Sequence, residues 1–200
     1  MIKVIGIKGL KFSGKDTIAE YLIKKYGFQR YAFADPIKKA AMELFGFTHD
    51  QMWGSAKDKE SVDPRWNISP RRMLQLMGTE LFQYDIHKYL HNGEFNVGRA
   101  VWVYRFKLWF EEERKKHLEQ NTDFKIVISD VRFLHEIEVL KSMGGTIIDV
   151  ERPSIENIDL HVSEVEIKSF EADYKFINSG TIEELYSKVD EYLKTNLSYA

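Results

Sequence analysis

The stretch Gly9-Leu10-Lys11-Phe12-Ser13-Gly14-Lys15-Asp16-Thr17 limits what this chain can fold into more than any other feature. It follows a short apolar run, Lys3 to Ile7, that reads as a buried strand. It precedes Ile18, Ala19, Leu22, Ile23 and Tyr26, which fall at helical spacing before a natural stop at Gly27. Strand, glycine-rich loop and helix in that order make a G-x-x-x-x-G-K pattern, whose backbone N–H groups curl around an anion while the helix N-terminus adds a favourable dipole. Gly9, Lys11, Ser13, Gly14, Lys15, Asp16 and Thr17 are therefore candidate phosphate-binding residues, with Lys15 reaching the outer phosphates. The pattern departs from its usual form at Asp16, where serine or threonine is common. A carboxylate beside a triphosphate repels it unless a metal lies between, so Asp16 and Thr17 are candidates to hold Mg²⁺, directly or through water. The alternative for Asp16 is stabilisation of the first helical turn.

Further strands are expected at Arg30 to Ala34, Phe124 to Ile128, Thr146 to Val150 and Tyr174 to Ile177, with helical patterns between them. Alternating strands and helices argue for an α/β chain: a three-layer fold with a central, mostly parallel sheet and ligands at the carboxyl ends of its strands. One domain over 1–200 is expected, with a helical region at 35–118 and a small lid at 152–172. Thr48 to Ile68 is polar and reads as an irregular, mobile insertion. Thr181 with Glu184 forms a capping box for a final helix. The chain has 200 residues and no cysteine, which excludes thiolate chemistry and fits a reducing cytoplasm. A formal charge of −2 argues against a dedicated nucleic-acid binder, and no run of about 18 apolar residues suggests a membrane span.

A second anion site is suggested by Ser69 to Leu81. At about 100° per residue, Arg71, Gln75, Gly78 and Thr79 share one helical side, opposite Met73, Leu74, Met77 and Leu81, and Arg72 borders the polar side. Arginine offers phosphate a planar fork, and glutamine pairs with a base edge or a sugar. Glycine inside a helix costs about 1 kcal/mol, so Gly78 suggests close approach by a ligand or another backbone. Two arginines in a first helical turn oppose the dipole, which a bound anion would explain. The alternative is a solvated face with ion pairs.

Polar residues after the other strands complete the set. Asp35 either orients an acceptor or caps the helix opened by Asp35-Pro36, and Lys38 lies one turn along. Asp130 either lies near Mg²⁺ or caps the helix beginning near Arg132, and Arg132 can stabilise a transferring phosphoryl group. Arg152 either closes over ATP phosphates or is a loop arginine. Asn178 either contacts adenine or belongs to a turn. His161 reads as structural, because phosphoryl transfer needs no histidine base. Trp102, Phe106, Trp109 and Phe110 read as core.

The blocks GLKFSGKDT, FADPIK, SPRRMLQLMGTEL, ISDVRFLHE, VERP, HVSE and INSGTIEEL, in this order across nearly the whole chain, resemble the phage and viral deoxynucleoside monophosphate kinases. The resemblance implies a P-loop nucleoside-monophosphate-kinase fold, ATP with Mg²⁺ as donor and a deoxynucleoside 5′-monophosphate as acceptor. It implies Gly9 to Thr17 as the phosphate loop and Asp35, Lys38, Arg71, Arg72, Gln75 and Thr79 as the acceptor region. Asp130, Arg132 and Arg152 fall in matched blocks, and Arg99 lies in a stretch similar to the family's arginine-plus-tryptophan helix. Thr48 to Ile68 and His87 to Val97 depart from the pattern and are where base preference would be set. Family members can be dimers, which leaves a homodimer open. Other readings remain: a P-loop kinase for a dephospho-CoA or phosphomevalonate type of acceptor, or a nucleotide-binding switch without transfer.

Overall fold

The computed structural model describes residues 1–90, 97–153 and 170–197. They form two compact units, residues 1–32 with 109–200, and residues 33–108. The second unit ends at Leu108, inside a helix that runs from Val101 to Glu119. His161 and most of the expected lid lie outside the described residues, as do residues 91–96.

The first unit is built on five parallel strands: β1 (Ile2–Lys8), β2 (Gln29–Tyr31), β3 (Phe124–Ile128), β4 (Thr146–Glu151) and β5 (Tyr174–Ile177), in the order β2-β3-β1-β4-β5. The second strand is shorter than expected, Ala32 and Phe33 being buried beyond its ladder. A strand buried on both faces reads as a continuous apolar run, as Val4 to Ile7 and Ile126 to Ile128 do. On one face Ile5, Ile7, Val127, Ile148, Val150 and Phe176 pack with Ile18 and Leu22 of α1 (Lys15–Tyr26) and with Leu185, Val189 and Leu193 of the last helix (Ile182–Leu197). The other face receives the helix Leu134–Ser142 so closely that a Cβ on Gly6 would stand 2.7 Å from Leu140 Cδ1. Three layers result. Because β1 lies between β3 and β4, the loop after β1 opens at the point where strand order reverses, which is where α/β sheets bind ligands.

The second unit is helical. α2 (Asp35–Phe45) starts one residue earlier than Asp35 as an N-cap requires: Ala34, whose methyl side chain cannot accept a hydrogen bond, holds the N-cap position. The capping alternative for Asp35 is overturned, because its carboxylate is taken up elsewhere. Thr48 to Ile68 is not irregular. It contains α3 (His49–Trp53) and α4 (Ala56–Glu60), each opened by a reciprocal capping box, Thr48 with Gln51 and Ser55 with Asp58. Asp63, 4% exposed, then closes the segment through Arg65, Gln51 and a bridge to Ile68. Polar bonds order this stretch, which is why apolar periodicity did not reveal it.

α5 (Pro70–Gln75) begins as expected, with Ser69 Oγ accepting from Arg72 N at 3.2 Å. It does not continue as an α-helix. Leu76–Asp85 winds in wider π-type turns with i→i+5 bonds, ending with Ile86 N donating to Leu81 O. Ile37, Ala41, Phe47, Met52, Met73 and Met77 form this unit's core, with Phe82 and Trp102 packed against it. Trp102 opens α6 (Val101–Glu119), in which Phe106 and Phe110 are buried as expected. The remaining helices are α7 (Leu134–Ser142) and α8 (Ile182–Leu197), the latter opened by the Thr181–Glu184 box.

Candidate active site

The phosphate loop owes its shape to two glycines. Gly9 has φ +142°, and a Cβ there would stand 2.4 Å from Val150 O, so β4 excludes any other residue. Gly14, at φ +109°, is the N-cap of α1, and a Cβ there would meet Asn178 Nδ2 at 2.6 Å. Between them Phe12 holds φ 66° with its ring exposed, and Lys11 Nζ lies 5.0 Å from that ring's centroid. Ser13 is 1% exposed, and its Oγ has no hydrogen-bond partner among the described residues. Lys15 Nζ donates to Leu10 O at 2.6 Å, folding back across its own loop.

Three side-chain contacts to other strands brace this loop and its root. Asn178 Nδ2 donates to Ser13 O at 2.8 Å, so at least one of its amide hydrogens shapes the loop itself. Ser129 Oγ, at the end of β3, donates to Asp16 Oδ1 at 2.8 Å and ties the first turn of α1 to the sheet. Lys8, 4% exposed, pairs with Asp149 at 2.9 Å across registered neighbours of β1 and β4. Sequence reading missed this pair. The signal was Lys8 and Asp149, charges set in the apolar strand runs IKVIGIK and TIIDVE, which buried neighbouring strands tolerate best where opposite charges meet.

The loop from Ser129 to Phe133 carries Asp130 and Arg132. The capping alternative for Asp130 is overturned: α7 starts at Leu134 with Phe133 as its N-cap. Glu136, 3% exposed, is the residue that bonds back, accepting from Arg132 N at 2.7 Å and Phe133 N at 3.0 Å. Burial, then the neighbouring Asp130 charge, pushes its carboxyl up to about 8, against the pull of those two N–H groups. Arg152, Pro153, Asn178, Ser179 and Gly180 line a shallow cleft of about 180 Å³ beside the braced loop. Thr17 is half-buried in the first turn of α1, while Asp130 is half-buried and Arg132 exposed.

In the helical unit, Asp35 Oδ1 accepts from Trp53 Nε1 at 3.0 Å and lies 3.7 Å from Lys38 Nζ. Lys38 Nζ also sits 5.2 Å from the Trp53 ring centroid. Trp53 was not identified from sequence, since its segment read as irregular. Arg71 Nε lies 3.3 Å from Glu60 Oε1, outside hydrogen-bonding geometry, and Arg72 forms an ion pair with Glu80 that raises its guanidinium's proton affinity. The protein thus supplies carboxylates to both first-turn arginines, which removes the need for an anion to explain them. Gly78 is buried and its carbonyl accepts from Trp102 Nε1 at 2.8 Å. A Cβ there would meet Ile37 at an ordinary 3.8 Å, so packing within this unit does not demand glycine. Gln75 and Thr79 are half-buried, and Arg99 stacks its guanidinium 5.1 Å from the Tyr84 ring centroid.

Among the described residues no three His, Asp or Glu side chains converge as a metal cage. No described helix is long and apolar enough to cross a membrane.

The family model for deoxynucleotide monophosphate kinases matches residues 3–63 and 52–189 of this chain. A protein of Acanthamoeba polyphaga mimivirus described as a deoxynucleotide monophosphate kinase is 41% identical over 188 residues, covering 93% of each chain. The deoxynucleotide monophosphate kinase of Escherichia phage RB69 is 31% identical over 252 aligned positions, covering 96% of this chain and all (100%) of its own. That of Enterobacteria phage T4 is 24% identical over 257 positions, with 96% and 99% covered.

Proposed function

Because the chain belongs to the deoxynucleotide monophosphate kinase family, we propose that it transfers the γ-phosphoryl group of ATP to a deoxynucleoside 5′-monophosphate, giving the diphosphate and ADP. The observation that carries this reading is the phosphate loop: two glycines at positive φ, Lys15 folded over the loop, and Asp16 anchored to Ser129 where the strand order reverses. In the reaction an oxygen of the acceptor phosphate attacks the γ-phosphorus in line as the bond to the β–γ bridging oxygen breaks. The acceptor is already an anion, so no general base is needed. Catalysis is positioning and charge stabilisation.

Lys15 and the loop amides hold the donor phosphates. Arg132 and Arg152 neutralise charge spreading over the transferred group. The cleft of Arg152, Asn178 and Gly180 receives the donor's adenine. Arg71 and Arg72 hold the acceptor phosphate, exchanging Glu60 and Glu80 for it. Asp35 and Lys38, fixed by Trp53, orient the acceptor together with Gln75, Gly78, Thr79 and Arg99.

The donor set fits Mg²⁺. One hydroxyl and two carboxylates, Thr17, Asp16 and Asp130, are too few for an all-protein cage but suit an ion that completes its shell with water and phosphate oxygens. Bound Mg²⁺ would neutralise the outer phosphates, and Ser129 would keep Asp16 from swinging against them.

The test is ATP-dependent turnover across dGMP, dTMP, dCMP, dAMP and their ribose counterparts. Acceptor-dependent ADP release with at least one deoxynucleotide is expected. ATP binding with no acceptor-dependent release from any of them would favour a switch module instead.

A further inference from the structure

The π-type turns of Leu76–Asp85 change which residues share a face. In an α-helix each step of four residues advances about 40°. Three such steps from Arg71 would swing position 83 about 120° away. Turns with i→i+5 bonds hold about 4.4 residues, so four residues there fall short of a full turn by about 30°. The α-step from Arg71 to Gln75 and the two wide steps to Thr79 and Gln83 therefore nearly cancel. Arg71, Gln75, Thr79 and Gln83 stand in one row along the segment.

Gln83 is the one member of that row nearly removed from solvent, at 4% exposure. Its side-chain oxygen is buried and has no hydrogen-bond partner among the described residues. A buried acceptor without a donor is costly, and a long run of wide turns is rarely kept without a functional reason. Both occur in the same turn. The indole N–H of Trp102 does not supply the missing donor: it is committed to Gly78 O, and Phe82 packs edge-on against the Trp102 ring.

We propose that Gln83 reads the base of the accepted monophosphate, its side-chain carbonyl taking an N–H from the base edge. This rests on the kinase reading above, with Arg71 at the phosphate end of the row and Gln83 at the base end. A buried carbonyl discriminates because a base lacking a donor there leaves it unpaired. Gln83 thereby sets which deoxynucleotide is preferred, from a position between the two segments, Thr48 to Ile68 and His87 to Val97, that the family resemblance singles out for base preference.

The experiment compares wild type, Gln83→Met and Gln83→Glu. It measures kcat/KM for dGMP, dTMP, dCMP and dAMP at saturating ATP, the Kd for ATP, and the midpoint of thermal unfolding. Methionine keeps the volume and removes the unpaired oxygen, so it should fold with an equal or higher midpoint. It should compress the spread of kcat/KM among the four acceptors by about tenfold or more, with ATP affinity unchanged. Glutamate keeps an oxygen in place and should retain the wild-type ranking. An unmoved ranking in Gln83→Met, or a lowered midpoint with uniform loss on all four acceptors, overturns the proposal. Wild-type protein that phosphorylates none of the four removes the activity reading and this proposal with it, whereas wild-type turnover with an unmoved ranking removes this proposal alone.

Discussion

The sheet unit and the helical unit hold their candidate residues in different ways. Around the phosphate loop the contacts are close and fixed: Gly9 lies under Val150 O, the Asn178 side chain grips Ser13 O, and buried Lys8 pairs with Asp149 at the loop's root. In the helical unit the two first-turn arginines sit at the surface in exchangeable ion pairs, Arg71 with Glu60 and Arg72 with Glu80, all four side chains a third or more exposed. Such pairs contribute at most about 1 kcal/mol, so a phosphate can displace them without disrupting the fold. The first arrangement suits a donor common to many reactions, which needs a rigid cradle. The second suits an acceptor that must be admitted, sorted and released. The methionine-rich core under the second unit, Met52, Met73 and Met77, adds adaptability to it.

The largest effect expected from this contrast is at Lys15. Lys15→Ala should lower kcat with any acceptor by about a hundredfold or more, because a preorganised charge on the transferring group is lost. Its melting midpoint should stay close to wild type, since glycine geometry and the Asn178 and Ser129 bonds still shape the loop. Single-turnover kinetics with a folded variant check this, and near-normal transfer would remove Lys15 from the mechanism.

Next in size are the arginines. Arg71→Ala and Arg72→Ala should each raise the acceptor KM about tenfold or more, through loss of charge-assisted bonds to phosphate, while the Kd for ATP stays put. Equal losses in ATP and acceptor binding would break the comparison, because the helical unit would then not be specific to the acceptor. Stability should barely move in either variant, given how exposed both ion pairs are.

These contrasts also show what could be read in advance. The phosphate loop was legible because glycine is nearly alone in tolerating the backbone it needs, and because Lys15 and the helix follow in fixed order. Of the two readings open for Asp35, the cap fails because Trp53, 18 residues on, claims its carboxylate. Thr48 to Ile68 was misjudged because T-x-x-Q and S-x-x-D order it without an apolar stripe. The face of Arg71, Gln75, Gly78 and Thr79 was drawn at α-helical spacing, and nothing in LMGTELFQYD announces wider turns. Lys8, Asp149 and Glu136 become meaningful only once a partner from a distant strand or turn is known.

A pH-dependent effect follows in the sheet unit. Glu136 has its carboxyl held at about 8 in the folded protein, against an ordinary value of 4.5. Its contribution to stability is complete below the ordinary value and is lost as pH rises towards about 8, by up to about 1.4 kcal/mol per unit. The substitution Glu136→Gln removes that loss, while the amide oxygen it introduces still accepts from Arg132 N and Phe133 N. Urea unfolding should therefore show the variant gaining on wild type steadily from pH 5 to pH 8, then running parallel to it. A difference that stays constant with pH would mean that Glu136 is ionised in the fold.

The smallest expected effect tests whether caps really hold the helical unit. Thr48 Oγ1 accepts from Gln51 N at 3.2 Å and Gln51 Oε1 accepts from Thr48 N at 2.8 Å, while Gln51 Nε2 reaches Asp63 at 2.9 Å. Thr48→Ala removes one side of that box and should cost about 1 kcal/mol in urea unfolding. The loss loosens α3, and α3 carries Trp53, whose indole N–H fixes Asp35. The acceptor KM should therefore rise modestly with no change in ATP affinity. A stability loss without a KM change would confine α3 to a structural role. A KM change for ATP as well would show that the two units are not as independent in binding as their construction suggests.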